Sequence, residues 1–135
     1  MAVTHPTTVR NGLADYVVDL IDTGGVETEG ILTIKQTSPP LDLVSIDFAA
    51  AASPGAFGNA ASGIATANSL PIEGQVGTTG TADSFTIYDC DSPRNAVCSG
   101  SVTASGGGGD IELSSTSLTS GDYVRLTALT YESAS

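Results

Sequence analysis

The stretch that decides the fold is Gly30-Ile31-Leu32-Thr33-Ile34-Lys35-Gln36-Thr37-Ser38-Pro39-Pro40-Leu41-Asp42-Leu43-Val44-Ser45-Ile46-Asp47-Phe48. Its period is two, the repeat of a strand with one buried and one wet face. The first run, Gly30 to Lys35, is a strand. Thr37-Ser38-Pro39-Pro40 is a turn, because consecutive prolines offer no amide donors to a ladder. Leu41 to Phe48 is a second strand, with Leu41, Leu43, Ser45 and Asp47 on one face. Asp42, Val44, Ile46 and Phe48 lie on the other.

Upstream the period lengthens to that of a helix. Val9, Leu13, Tyr16, Val17, Leu20 and Ile21 share one face, and Asp15, Asp19 and Asp22 fall opposite, as a solvated face does. Thr7 or Thr8 after Pro6 suits the N-cap, and Gly24-Gly25 suits the stop. The reading is a short amphipathic helix over 8–23. A helix of this length is marginal alone, so its apolar stripe is expected to dock on the rest of the chain.

Downstream, an Ala-rich stretch occupies a long loop over 49–62. Gly63–Ala67 and Leu70–Val76 are weaker strands, and Gly77–Thr81 is a loop. Ser84–Tyr88 is a strand with Phe85 and Ile87 inward. Asp91-Ser92-Pro93-Arg94-Asn95 turns it into a partner, Ala96–Thr103. After the flexible Gly106–Gly109 come Asp110–Leu113 and a last strand, Tyr123–Tyr131. About eight short strands with turn signals every 8–12 residues predict a mainly β chain, a jelly-roll-like antiparallel β-sandwich. One domain spans 1–135: an N-terminal arm 1–7, the helix, and a sandwich over 26–131.

Composition excludes several functions. The chain has 135 residues and a formal net charge of −11, so it lacks the cations that hold a nucleic-acid backbone. Gly, Ala, Ser and Thr make up nearly half of it, which suits short strands and tight turns. The start has no secretory signal pattern. The uncharged run from Phe48 to Ile72 carries Pro54, Pro71, Asn59 and Asn68, so no membrane span is expected.

No catalytic constellation emerges. His5 is the only histidine and has no Ser or Asp at a recognisable spacing. G-x-S-x-G and the glycine-rich phosphate fingerprints are absent. Asp89 and Asp91 flank Cys90 without an EF-hand pattern. No enzyme activity, cofactor or metal is expected. Cys90 and Cys98 match no zinc spacing. A tight hairpin turn sets them about three residues out of step, too far to bridge. A wider loop allows a disulfide within the chain. A bond between chains and two separate thiols are the other outcomes.

The opening Met1-Ala2-Val3-Thr4-His5-Pro6-Thr7-Thr8-Val9-Arg10-Asn11-Gly12-Leu13-Ala14-Asp15, continued through Val17-Val18-Asp19-Leu20-Ile21-Asp22, resembles a family of small tailed-bacteriophage virion proteins. So do Ala56-Phe57-Gly58-Asn59-Ala60-Ala61-Ser62-Gly63-Ile64-Ala65-Thr66-Ala67-Asn68 and, more generically, Gly109–Leu113 with Ser120-Gly121-Asp122 and the final strand. Pro93-Arg94, Cys90 and Cys98 depart from that pattern. The resemblance implies a capsid decoration (cement) protein, made in the host cytoplasm and bound to the outer surface of the phage head. Its partners would be the major capsid protein lattice and itself, as a dimer or trimer. The charge of −11 keeps such a protein dispersed before assembly. Val3, His5, Phe57, Asn59 and Ile64 are the expected contacts with capsid or self. The alternatives are a tail or fibre-base subunit, or a carbohydrate-binding β-sandwich presenting tyrosines.

Overall fold

The computed structural model describes residues 3–22, 30–48, 57–67, 71–126 and 129–133. In chain order the elements are α1 (Thr7–Asp22), β1 (Ile31–Gln36), β2 (Leu41–Asp47), β3 (Ile64–Thr66), β4 (Ile72–Gln75) and β5 (Gly80–Thr81). Then follow β6 (Ser84–Tyr88), β7 (Ala96–Ala104), β8 (Ile111–Leu113), β9 (Ser117–Leu118), β10 (Tyr123–Leu126) and β11 (Thr130–Glu132). The expected long loop lies outside the described residues over 49–56, as does the glycine pair expected to end the helix.

β1 and β2 form the hairpin read from the sequence, and β1 pairs on its other side with β6. The main sheet runs β2-β1-β6-β7-β8. Paired residues share a face, so alternation propagates across the strands. Ile46, Leu32, Ile87 and Cys98 make one inward row, and Val44, Ile34, Phe85 and Gly100 the next. Between these rows, Ser45, Thr33, Thr86 and Ser99 face the other way, where the Thr33 and Ser45 hydroxyls lie 3.2 Å apart. The outer face is thus a band of small hydroxyl side chains.

A bulge interrupts the pairing of β1 with β2. Leu43 is an extra residue in β2: Ile34 pairs with Val44 but Lys35 with Asp42. That bulge buries Leu43 together with Val44 and Ile46, so both expected faces of β2 contribute to the core. The freed Leu43 carbonyl accepts from the amides of Gly77 at 2.8 Å and Thr78 at 3.3 Å, which draws β4 alongside β2. Gly74 of β4 has no Cβ there for a reason: one would lie 2.7 Å from Ile46 and 2.9 Å from Val44.

The chain is mainly β with one N-terminal helix, as expected, and the all-antiparallel part of the expectation is corrected. β7 and β8 run parallel, Val102 opposite Ile111, so the main sheet is mixed, and it curls into a half-barrel. Among the described residues there are also three two-stranded ladders, β10–β4, β11–β3 and β5–β9. The loop expected over Gly77–Thr81 contains β5, and two residues are too few for periodicity to register. Leu32, Ile34, Ile46, Phe48, Val76, Phe85, Val102, Val124 and Leu129 belong to one cluster of buried side chains. Among the described residues no helix is long and apolar enough to cross a membrane.

Candidate functional site

The helix docks by the side that the sequence did not favour. Ala14, Val18 and Ile21 are its buried residues, spaced i, i+4 and i+7 along one face. Beside them three polar side chains point into the protein. Asn11 Oδ1 accepts from the Gly63 amide at 2.6 Å, and Asp15 Oδ1 from the Ala60 amide at 2.5 Å. Arg10 donates to Glu132 at 3.2 Å. Asp15 is therefore a docking residue and not part of a solvated acidic stripe, whereas Asp19 is exposed.

The acceptors on α1 meet a hairpin that the sequence reading did not resolve. Ala61 and Ile64 exchange both backbone hydrogen bonds across Ser62 (φ 55°) and Gly63 (φ 80°). Two successive positive φ values make the tight turn whose twist matches its strands. Its spare Gly63 amide is the one that Asn11 satisfies. The helix begins at Thr7, because the Pro6 carbonyl accepts from the amides of Val9 and Arg10; the cap is Pro6, where a threonine was expected.

As a result the apolar stripe faces outward. Val9 is 42% exposed, Leu13 44%, Tyr16 67% and Leu20 40%. Only Ile21 of the expected face is buried, with Val17 half-buried. The expectation that the stripe docks within the chain is thus corrected: hydrogen bonding to the hairpin outweighs burial of four larger apolar side chains.

The expected contact residues divide. Val3 is 60% exposed and Ile64 37%, and His5 and Asn59 are exposed. Asn59 and Ile64 lie on either side of the turn that bonds to Asn11 and Asp15 of α1, and Val3 and His5 lie in the arm before the helix. Phe57 does not belong with them. It is 6% exposed and its ring lies 5.9 Å from that of Phe48, tilted by 56°. An isolated phenylalanine in an Ala-rich stretch gave no sign of being core.

Cys90 and Cys98 are separate thiols. The geometry is that of the tight hairpin: Cys98 pairs with Ile87, while Cys90 lies three residues further along, beyond the end of β6. Three residues of strand span about 10 Å, more than a disulfide bridges. The Cys90 thiol, 1% exposed, points to the Leu20 carbonyl at 3.8 Å. Cys98 lines a cavity of about 360 Å³ with Phe57, Phe85, Ile87 and Leu129. Burial pushes its thiol above the ordinary pKa, which makes it a poor nucleophile at neutral pH.

Several carboxylates serve as turn braces. Asp89 accepts from the Asn95 amide and side chain and from the Asp91 amide. Burial pushes its pKa up, but these donors outweigh it and hold the carboxyl below the usual value. Asp83 binds the Thr37 hydroxyl and amide, Asp110 the Ser101 amide and hydroxyl, and Glu112 the Gly106 and Gly108 amides. Each is held low by those donors. Among the described residues no three metal-ligating side chains cluster. Tyr123, 67% exposed, borders an open groove of about 500 Å³ with Glu112, Asp122 and Arg125. Glu112 is engaged by its glycine loop and Asp122 accepts from the Thr119 amide.

Compared with known proteins, the chain matches no family model, no curated protein and no solved structure.

Proposed function

We propose that this chain is an adhesive structural subunit of a tailed-phage virion, a decoration (cement) protein of the outer head surface that braces neighbouring major capsid subunits. One observation carries the adhesive part: a helix held down by hydrogen bonds to a hairpin presents Val9, Leu13, Tyr16 and Leu20 to solvent. Contiguous apolar surface of this kind on an otherwise acidic protein marks an interaction site. The virion part rests on the resemblance of the opening and middle segments. Val3 and His5 of the arm before α1, with Asn59 and Ile64 beside the hairpin turn, are the lattice-facing contacts in this reading. The proposal assigns no catalytic, cofactor-binding or metal-ligating role to any residue. In this reading the two-stranded ladders stand in for a reduced second sheet of a jelly-roll-like sandwich.

The test is to mix the purified protein with undecorated heads. Co-sedimentation, with heads that resist osmotic shock better than bare ones, is the expected result. A protein left in the supernatant would overturn the reading. Copy number separates the alternative of a tail or fibre-base subunit: hundreds per particle for decoration, tens or fewer for a tail part.

A second reading has one observation behind it, the exposed Tyr123 beside a groove with Glu112 and Arg125. A single aromatic platform whose neighbouring acids already brace turns is a thin sugar site. Binding to any glycan on an array, lost in Tyr123→Ala, would favour it.

A further inference from the structure

We infer that the groove bordered by β7 and β11 is a strand-acceptor site, and that its occupant is an extended, basic segment of a partner protein, apolar at alternate residues. The site goes beyond the adhesive reading above and does not depend on it.

The backbone says what kind of ligand fits. In an antiparallel ladder each residue turns its N–H and C=O to one side, and successive residues alternate. The Leu129 carbonyl accepts from the Ala67 amide, and the Ser133 amide donates to the Gly63 carbonyl. Leu129, Tyr131 and Ser133 therefore face β3, and Thr130 and Glu132 turn their backbone groups away from it. In β7 the Val102 amide donates to the Asp83 carbonyl. Val102, Gly100 and Cys98 thus face β6, and Ser99 and Ser101 face away. The Asp110 carboxylate takes the Ser101 amide at 2.8 Å, and β8 joins β7 only from Val102 onward. Among the described residues, Ser99, Thr130 and Glu132 are left with edge groups that no strand pairs.

The two edges share one groove of about 360 Å³. Ser99 lines it from β7, Thr130 and Glu132 line it from β11, and Phe57, Phe85 and Leu129 supply apolar side chains. An added strand uses both features: its main chain pairs with an edge, and alternate side chains enter the pocket. A compact apolar ligand would cover the side chains but leave the edge groups dehydrated and unpaired, which is unfavourable. The edge is also undefended. Ala96–Ala104 has no charge and no proline, the devices that blunt exposed strands.

Charge selects the occupant. Asp110 and Glu132 are the charged residues of the lining, and no Lys or Arg is among them. Both are exposed. Asp110 engages Ser101 through Oδ2, and Glu132 engages Arg10 through Oε1. Arg10 offsets part of the Glu132 charge, so Asp110 is the stronger attraction for a cation. Two copies of this chain joined by the same edge would bring both acids of each together, on subunits carrying −11 apiece. Those charges penalise self-pairing and favour a strand with Lys or Arg.

Nuclear magnetic resonance titration of the purified chain with the end-blocked hexapeptide Lys-Val-Thr-Val-Lys-Val tests this. Saturable shifts at the amides of Ser99, Thr130 or Glu132, with slowed hydrogen exchange there, are expected. The same peptide N-methylated throughout should not bind, because it has no amide donors for an edge. Replacing its lysines by glutamates should weaken binding about tenfold. Glu132→Gln should weaken the lysine peptide about threefold and leave the fold intact, since the Glu132 side chain is 63% exposed. An absence of saturable shifts at all three amides, undiminished binding of the N-methylated peptide, equal binding of the two charge forms or indifference to Glu132→Gln would overturn the inference. Head co-sedimentation keeps the two proposals apart. A chain that takes the peptide but ignores heads keeps this site and removes the decoration reading. A chain that binds heads but no peptide does the reverse.

Discussion

The Asp15 carboxylate on α1 accepts a 2.5 Å hydrogen bond from the backbone amide of Ala60. Asn11 makes the equivalent bond to Gly63 one turn earlier. Together they decide which side of the helix faces the protein. Asp15→Ala leaves a part-buried amide without its acceptor, at a cost of about 1–3 kcal/mol. Urea unfolding should show that loss, and amide exchange at Ala60 should accelerate. An unchanged midpoint would mean that Ala14, Val18 and Ile21 hold the helix unaided.

Gly100 lies across from Phe85 in the main sheet. A Cβ at Gly100 would stand 2.7 Å from the Phe85 ring and 2.6 Å from Asp110 Oδ2. Gly100→Ala should therefore destabilise by about 1–3 kcal/mol through overpacking. In a double-mutant cycle with Phe85→Leu, the combined loss should fall short of the sum, because the smaller side chain releases the clash. Strict additivity would place the cost elsewhere.

The turn-bracing carboxylates predict the response to acid. Asp83, Asp89, Asp110 and Glu112 all have folded pKa values below their ordinary ones. The folded state thus takes up these protons less readily than the unfolded chain. Their contribution is complete above the ordinary carboxylate range, about pH 4, and disappears as pH falls through the depressed values. The urea midpoint should stay level from neutral to about pH 5 and drop below about pH 4. Asp110→Asn should begin lower at neutral pH and fall less steeply. A midpoint that rises on acidification would contradict the assignment.

Cysteine chemistry is set by burial and register. Native protein should migrate identically on reducing and non-reducing gels. Alkylation at neutral pH should be slow at Cys98, whose thiol is held protonated by burial, and slower still at Cys90, 1% exposed. A mobility difference on the gels would show bonds that this fold does not form.

Much of the β architecture was legible in local pattern. Ser84–Tyr88 was read with its true bounds and with Phe85 and Ile87 inward, because alternation over five residues has one solution. The hairpin over Ile31–Asp47 was equally clear, since the two prolines leave only a turn between two runs of period two. The Leu43 bulge escaped notice, as one inserted residue leaves both faces of β2 looking plausible. β5, β9 and the Ser62-Gly63 turn are too short to carry a period. The cluster of contacts expected around Phe57 lost its aromatic member, because Ala-rich neighbours do not reveal whether a ring packs inward.

By itself, the sequence determined the helix, the strand hairpins and a strongly acidic net charge, since these depend on side-chain period and on the charges along the chain. Only the tertiary structure decided which face of α1 is buried, and that β8 joins the sheet in parallel. Those outcomes depend on backbone groups far apart in sequence. The amides of Ala60 and Gly63 needed acceptors, α1 supplied them from its polar side, and the more apolar side was left in solvent.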